Sequence, residues 1–223
     1  MRQRRWLQSF LVALCVIGST SNVLAESRWE PSIQKFEAAD EKNPPAMGSI
    51  VFVGSSSIVF WKTAKDFPEW DIINRGFGGS QTSDSVEFAD RIVLKYEPRQ
   101  VVIYAGDNDI ARGKTPENVF DDTKELFGII HDALPETSII YVAIKPSIAR
   151  WNLVDEMREA NTLIRTELCE KDDRIEFLDI DTPILGKDGK PMKELFIADG
   201  LHMTSAGYKI WNDAIRPLLK KKD

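Results

Sequence analysis

The sequence predicts an α/β protein: a parallel sheet covered by helices on both faces. Short apolar runs recur between longer helical patterns, the order that a parallel sheet requires. The runs are continuous rather than alternating, as strands buried on two faces must be. The 223 residues, 43% hydrophobic and 29% charged, suit one globular domain rather than a disordered chain or a multi-span membrane protein.

Taken in order, the strands are expected at Ser49 to Val53 (SIVFV), Asp71 to Asn74 (DIIN), Gln100 to Ala105 (QVVIYA), Ser138 to Ile144 (SIIYVAI) and Arg174 to Leu178 (RIEFL). Helices are expected over Pro31 to Asp40, Ser83 to Leu94, Thr115 to Leu134, Trp151 to Lys171 and Thr204 to Lys220. Thr115-Pro116-Glu117 offers an N-cap followed by proline at the first helical position, and Leu134-Pro135 closes that segment. No internal repeat, low-complexity tract or Gly/Ser-rich linker divides the chain, so residues 26–223 read as one domain.

Residues 1–25 read as an export signal. Arg2, Arg4 and Arg5 supply a basic start, Leu11 to Ile17 an apolar stretch, and Val23-Leu24-Ala25 a peptidase site, with cleavage expected before Glu26. The apolar stretch is short for a bilayer span of roughly 30 Å, so no permanent anchor is expected and the mature protein is expected in the periplasm or outside the cell. Cys15 raises a lipoprotein alternative, which Leu14 disfavours because it is bulky where a lipid-attachment motif wants a small residue. Net charge is −6, which argues against a nucleic-acid partner bound through phosphates. Cys169 would remain alone in the mature chain, where its apolar helical surroundings suit a buried small hydrophobe.

Ligands of open parallel sheets collect beyond the carboxyl ends of the strands. Four loops there carry polar residues: Gly54-Ser55-Ser56-Ser57, Arg75-Gly76-Phe77-Gly78-Gly79-Ser80, Gly106-Asp107-Asn108-Asp109 and, further on, Asp199-Gly200-Leu201-His202. A serine becomes a nucleophile when a base takes its proton; histidine is the usual base near neutral pH, and a carboxylate orients it. The chain has two histidines. His131 lies within an expected helix and reads as surface decoration, whereas His202 sits in a loop three residues after Asp199. The glycine loop can be a tight turn, a phosphate cradle or a set of amides facing an oxyanion. No dinucleotide or Walker pattern follows the first strand, which disfavours the phosphate reading. Asp107 and Asp109 are too few for a hard-cation site and also suit a plain turn, so neither metal nor cofactor is expected. Trp61 and the pair Arg150-Trp151 stand where they could line an acyl or sugar pocket; core or rim packing is the competing reading.

These four blocks together resemble those of the SGNH hydrolases, also called GDSL-type esterases and lipases. VGSSSI resembles the nucleophile block, NRGFGGS the glycine block, AGDND the Gly-x-Asn-Asp block and DGLH the Asp-x-x-His block. The resemblance spans nearly the whole chain after residue 25. It implies a flavodoxin-like three-layer α/β/α sandwich with a five-stranded parallel sheet, Ser56 as nucleophile, and His202 as base oriented by Asp199. It also implies oxyanion donors at Gly79, Asn108 and the Ser56 amide. The family's first block usually reads Gly-Asp-Ser, whereas this chain has Ser55 at the aspartate position, which leaves Ser55, Ser56 and Ser57 all open as the nucleophile. The implied activity is ester hydrolysis through an acyl-enzyme. No long apolar lid insertion is present, so small or water-soluble acyl esters, of carbohydrate or lipid origin, are the expected substrates. An O-acyltransferase, a thioesterase or lysophospholipase, and a non-catalytic binding module are the competing readings.

Overall fold

The computed structural model describes residues 27–222; the leader expected over residues 1–25 lies outside them. The expected sheet is present. Strands β1 (Ile50–Gly54), β2 (Ile72–Gly76), β3 (Gln100–Tyr104), β4 (Ser138–Val142) and β5 (Ile175–Leu178) pair in parallel in the order β2-β1-β3-β4-β5. Because the strand side chains alternate, each face has its own apolar set. Val51, Val53, Val101, Ile103, Ile139 and Tyr141 belong to one core cluster; Ile50, Phe52, Val102, Tyr104, Ile140 and Val142 belong to the other.

Helices cover both faces: α1 (Glu30–Lys42), α2 (Ser56–Phe60), α3 (Thr63–Asp66), α4 (Thr82–Glu87), α5 (Ala89–Ile92), α6 (Asp107–Ala111), α7 (Pro116–Ala133), α8 (Val154–Glu167) and α9 (Ser205–Ile215). Helix α7 starts where its sequence says it should, with Thr115 accepting from the Asn118 amide and proline in the first turn. The helix expected over Ser83 to Leu94 is instead α4 and α5, separated at Phe88, whose ring packs edge-on to Phe77 in the core. The expected Trp151 to Lys171 helix keeps its centre as α8, and its two ends tighten to 3₁₀ turns.

Strand β2 runs on to Gly76, two residues beyond its expected end. Arg75 therefore lies in the sheet rather than in the loop, buried and bonded to Asp40 and to the Tyr96 hydroxyl. His131 is not surface decoration. Its ring is largely buried at the end of α7, 3.1 Å from the Thr137 carbonyl oxygen, and burial lowers its pKa. Cys169 is buried as expected, and burial pushes its thiol up to about 12.

Sheet register sets the functional edge. Gly54 of β1 stands level with Gly76 of β2 and Tyr104 of β3, so three motif loops leave the sheet at the same height. In this strand order the connections from β1 and β3 run in opposite directions, opening a crevice at their carboxyl ends. Gly54 turns the chain into that crevice at φ +139°, and a Cβ there would sit 1.9 Å from the Tyr104 carbonyl oxygen. Only glycine fits. Gly54→Ala is therefore expected to cost at least about 2 kcal/mol, read as a lowered urea midpoint; an unchanged midpoint would contradict this account of the turn.

Candidate active site

Ser56 opens α2, immediately beyond β1. Its Oγ lies 2.9 Å from His202 Nε2, and His202 Nδ1 lies 2.6 Å from Asp199 Oδ2. The three serines point apart. Ser55 anchors the turn through its amide, bonded to the Tyr104 carbonyl, and its hydroxyl is fully buried without a partner. Ser57 is buried too, and its carbonyl accepts from Tyr208 Oη. Only the Ser56 hydroxyl meets the imidazole.

The Asp-x-x-His spacing has a local cause. Asp199 Oδ1 accepts from the backbone amides of Leu201 and His202, closing an Asx-type turn, while Oδ2 holds the ring. Partial desolvation alone would raise the Asp199 pKa, but the bonds from the ring and the two amides hold it at about 2. The edge of the Phe60 ring system packs against the imidazole, centroids 4.8 Å apart.

Two bonds tie α2 and Trp61, the residue that closes it, to α9. Tyr208 Oη donates to the Ser57 carbonyl at 2.8 Å, and Trp61 Nε1 donates to Asn212 Oδ1 at 2.6 Å. Trp61 therefore does not line a substrate pocket. It is 2% exposed among Phe52, Phe67, Tyr208 and Trp211, because the aromatic layer between α2 and α9 has room for the indole and solvent offers it nothing. Its neighbour Phe60, exposed and unremarked in the sequence, takes the place at the rim. A groove of about 260 Å³ beside His202 is lined by Phe60, Lys62, Ile197, Met203 and Tyr208, among others. A larger cleft, about 870 Å³, opens at the amino ends of the strands around Arg99 and Thr137, at the opposite edge from this chemistry.

The glycine loop lies against the serine. A Cβ on Gly78 would stand 3.8 Å from Ser56 Cβ, and Gly79 takes φ +81°. Among the described residues the Gly79 amide donates to no internal acceptor. Asn108 sits in the first turn of α6, a short helix where the sequence suggested a plain turn. Its Nδ2 donates to the Ser80 carbonyl at 2.9 Å, leaving the second N–H of that amide without an acceptor. Arg150 does not project freely into a pocket: Nη2 bonds Asn108 Oδ1 at 3.0 Å, and Nη1 bonds the Asp107 carbonyl at 3.0 Å. Trp151 is half-buried with the Arg158 guanidinium over its ring, 5.9 Å from the centroid.

Neither acidic residue of the Asn108 block is a free turn carboxylate. Asp109 is fully buried and accepts from the Thr82 amide and from Lys114 Nζ, tying α6 to the start of α4, which follows the glycine loop. Burial raises its pKa, and Lys114 counters that rise. Asp107 faces Arg150 at 3.2 Å and the buried Lys145 at 3.8 Å. Burial lowers the Lys145 pKa. Among the described residues no acidic, histidine or cysteine cluster is arranged to hold a metal ion.

The comparisons with known proteins give a family and a fold. The family model for the GDSL-like lipase/acylhydrolase family matches residues 57–210, and the chain belongs to that family. It is accordingly an ester-bond hydrolase. The match begins one residue past Ser56, so it does not itself cover that serine. No curated protein matches the chain in sequence. Among solved structures, a GDSL-like lipase from Bacteroides thetaiotaomicron is similar at 20% identity, with TM-score 0.70, over 83% of this chain and 96% of the other. A Streptococcus pneumonia protein with a provisional platelet-activating-factor assignment gives TM-score 0.77 at 20% identity, over 86% of this chain and 92% of the other. A catalytic mutant of an acetylxylan esterase from Geobacillus stearothermophilus gives 0.61 at 16% identity, over 79% and 96%. At these identities the likeness is one of fold: the three-layer α/β/α sandwich.

Asp109→Ala would leave the Thr82 amide and Lys114 without their buried acceptor. It is expected to cost roughly 2–4 kcal/mol in chemical denaturation; a loss within about 0.5 kcal/mol would contradict the tie.

Proposed function

We propose that the protein is a serine-dependent carboxylic ester hydrolase acting on small or soluble acyl esters through an acyl-enzyme. The observation that carries this is the continuous chain from Ser56 Oγ through His202 to Asp199, at 2.9 and 2.6 Å. His202 Nε2 takes the Ser56 proton as Oγ attacks the ester carbonyl, and the Asp199 carboxylate steadies the resulting imidazolium. The imidazolium returns the proton to the departing alkoxide, releasing the alcohol and leaving the acyl group on Ser56. Water, deprotonated by the same nitrogen, then attacks the acyl-enzyme, and the acid leaves as Oγ recovers its proton.

The developing oxyanion would be held by the amides of Ser56 and Gly79 and by the free N–H of Asn108. The Ser56 amide is available because the first amides of a helix have no intrahelical acceptor. The groove beside His202 suits a short acyl or alcohol group against Phe60 and Ile197. Among the described residues no helix is long and apolar enough to cross a membrane. We further propose export to the periplasm or beyond, on the composition of residues 1–25; recovered exported protein should begin at Glu26, and an intact Met1 would oppose it.

The test is hydrolysis of p-nitrophenyl esters from acetate to octanoate. Ser56→Ala and His202→Ala should each lower kcat by about 10³-fold or more, and Asn108→Ala by about 100- to 1000-fold. Wild-type turnover in either of the first two variants would refute the assignment. Adding sugar alcohols distinguishes hydrolysis from transfer, since a transferase would return acylated sugar in place of free acid.

The Asp199 carboxyl, held at about 2, keeps the negative charge that steadies the imidazolium.

A further inference from the structure

We propose that Arg150 is a positioning residue for Asn108, fixing which end of that side-chain amide faces the reacting carbonyl. The proposal rests on the reading of Asn108 as an oxyanion donor and extends it to the group behind the donor.

The two ends of an asparagine amide have nearly the same shape, so packing alone does not choose between them. One orientation offers an N–H to the oxyanion; the other offers a carbonyl oxygen, which repels it. In this site the choice is made by charge and hydrogen bonding. Asn108 Oδ1 accepts from Arg150 Nη2 at 3.0 Å while Nδ2 donates to the Ser80 carbonyl at 2.9 Å. Flipping the amide would set donor against donor at Arg150 and acceptor against acceptor at Ser80, in a place where Asn108 is 7% exposed and little water can relieve either clash. The guanidinium also draws electron density toward Oδ1, which sharpens the remaining Nδ2–H as a donor.

Arg150 can serve in this way because it is itself held. Nη1 donates to the Asp107 carbonyl at 3.0 Å and lies 3.2 Å from Asp107 Oδ2. On its other side the Asp107 carboxylate faces Lys145 Nζ at 3.8 Å, and that ammonium, 1% exposed, also bonds the Tyr104 hydroxyl at 3.3 Å. The guanidinium thus spans the residue before Asn108 and Asn108 itself, a geometry that needs a planar fork. A lysine, with one charged point, cannot reproduce it.

The experiment is a double-mutant cycle on p-nitrophenyl acetate hydrolysis: wild type, Arg150→Ala, Asn108→Ala and the double variant, with Arg150→Lys as a charge-retaining companion. Arg150→Ala should lower kcat by about 10-fold or more with KM within about 3-fold, since the interaction matters only once the oxyanion forms. In the Asn108→Ala background the same change should cost less than about 2-fold, because the residue it orients is gone. Arg150→Lys should lose kcat as Arg150→Ala does, and it carries the cycle if the alanine variant does not fold. Equal losses in both backgrounds, wild-type kcat in Arg150→Lys, or a raised KM at unchanged kcat would overturn the proposal, the last by making Arg150 a substrate contact. Ser56→Ala separates the two levels: turnover retained there sinks the esterase reading, whereas turnover lost there with an additive cycle sinks only the role of Arg150.

Discussion

The bond between Ser56 Oγ and His202 Nε2 joins residues 146 positions apart, and the usefulness of everything else in the molecule depends on it. Neither residue can find the other through local structure. Ser56 is delivered by β1 and a glycine turn, whereas His202 is delivered by a loop that runs directly into α9. Bonds from α9 to α2 and its closing residue run beside that meeting, where Tyr208 and Trp61 each spend a polar atom across the gap while their rings fill the core, and the loop that carries His202 is itself bonded to Ile197 and Leu195. Such dual use of an aromatic side chain fixes a distance more firmly than apolar packing alone, because a hydrogen bond in a dry layer has little tolerance for displacement.

The same edge of the sheet concentrates groups that a purely structural design would avoid. Ser55 Oγ, Ser80 Oγ and Asp107 Oδ1, one from each of the loops after β1, β2 and β3, are buried without a hydrogen-bond partner. Lys145, Asp107 and Asp109 are charged side chains with almost no exposure. Burying polar groups this way costs stability, and natural proteins concentrate such violations where arrangement matters more than stability. Two apolar layers, one on each face of the sheet, offset that cost away from the site.

Much of this was legible in the sequence, for physical reasons that can be named. Strands buried on both faces must be continuously apolar, and β1, β3 and β4 announced themselves that way, whereas the edge strands β2 and β5 showed only short apolar runs interrupted by Asn74, Arg75 and Glu176. Helix α7 carried its cap and its proline in plain view. His202 was legible because it stands in a loop where packing does not explain it, whereas Ser56 and Asp199 were legible only through the motif blocks that resemble those of the SGNH hydrolases. The short helices α2, α3 and α6 were not, since five residues such as SSIVF make little more than one turn and show no period, and their β-branched content suggests a strand. Trp61 misled because nothing in a sequence says which of two adjacent aromatics, Phe60 or Trp61, turns outward when a short helix intervenes. Arg150 was recognised as belonging near the site, but its engagement with Asn108 depends on a crossing from β4 to α6 that only the folded chain shows. His131 went unread for a similar reason: its partner carbonyl belongs to the following turn.

The central claim concerns one hydroxyl among three consecutive serines, and covalent capture tests it most directly. Treating the protein with a fluorophosphonate and sequencing the modified peptide by tandem mass spectrometry should place a single adduct on Ser56. An adduct on Ser55 or Ser57, or no adduct on a folded protein that hydrolyses esters, would contradict the account.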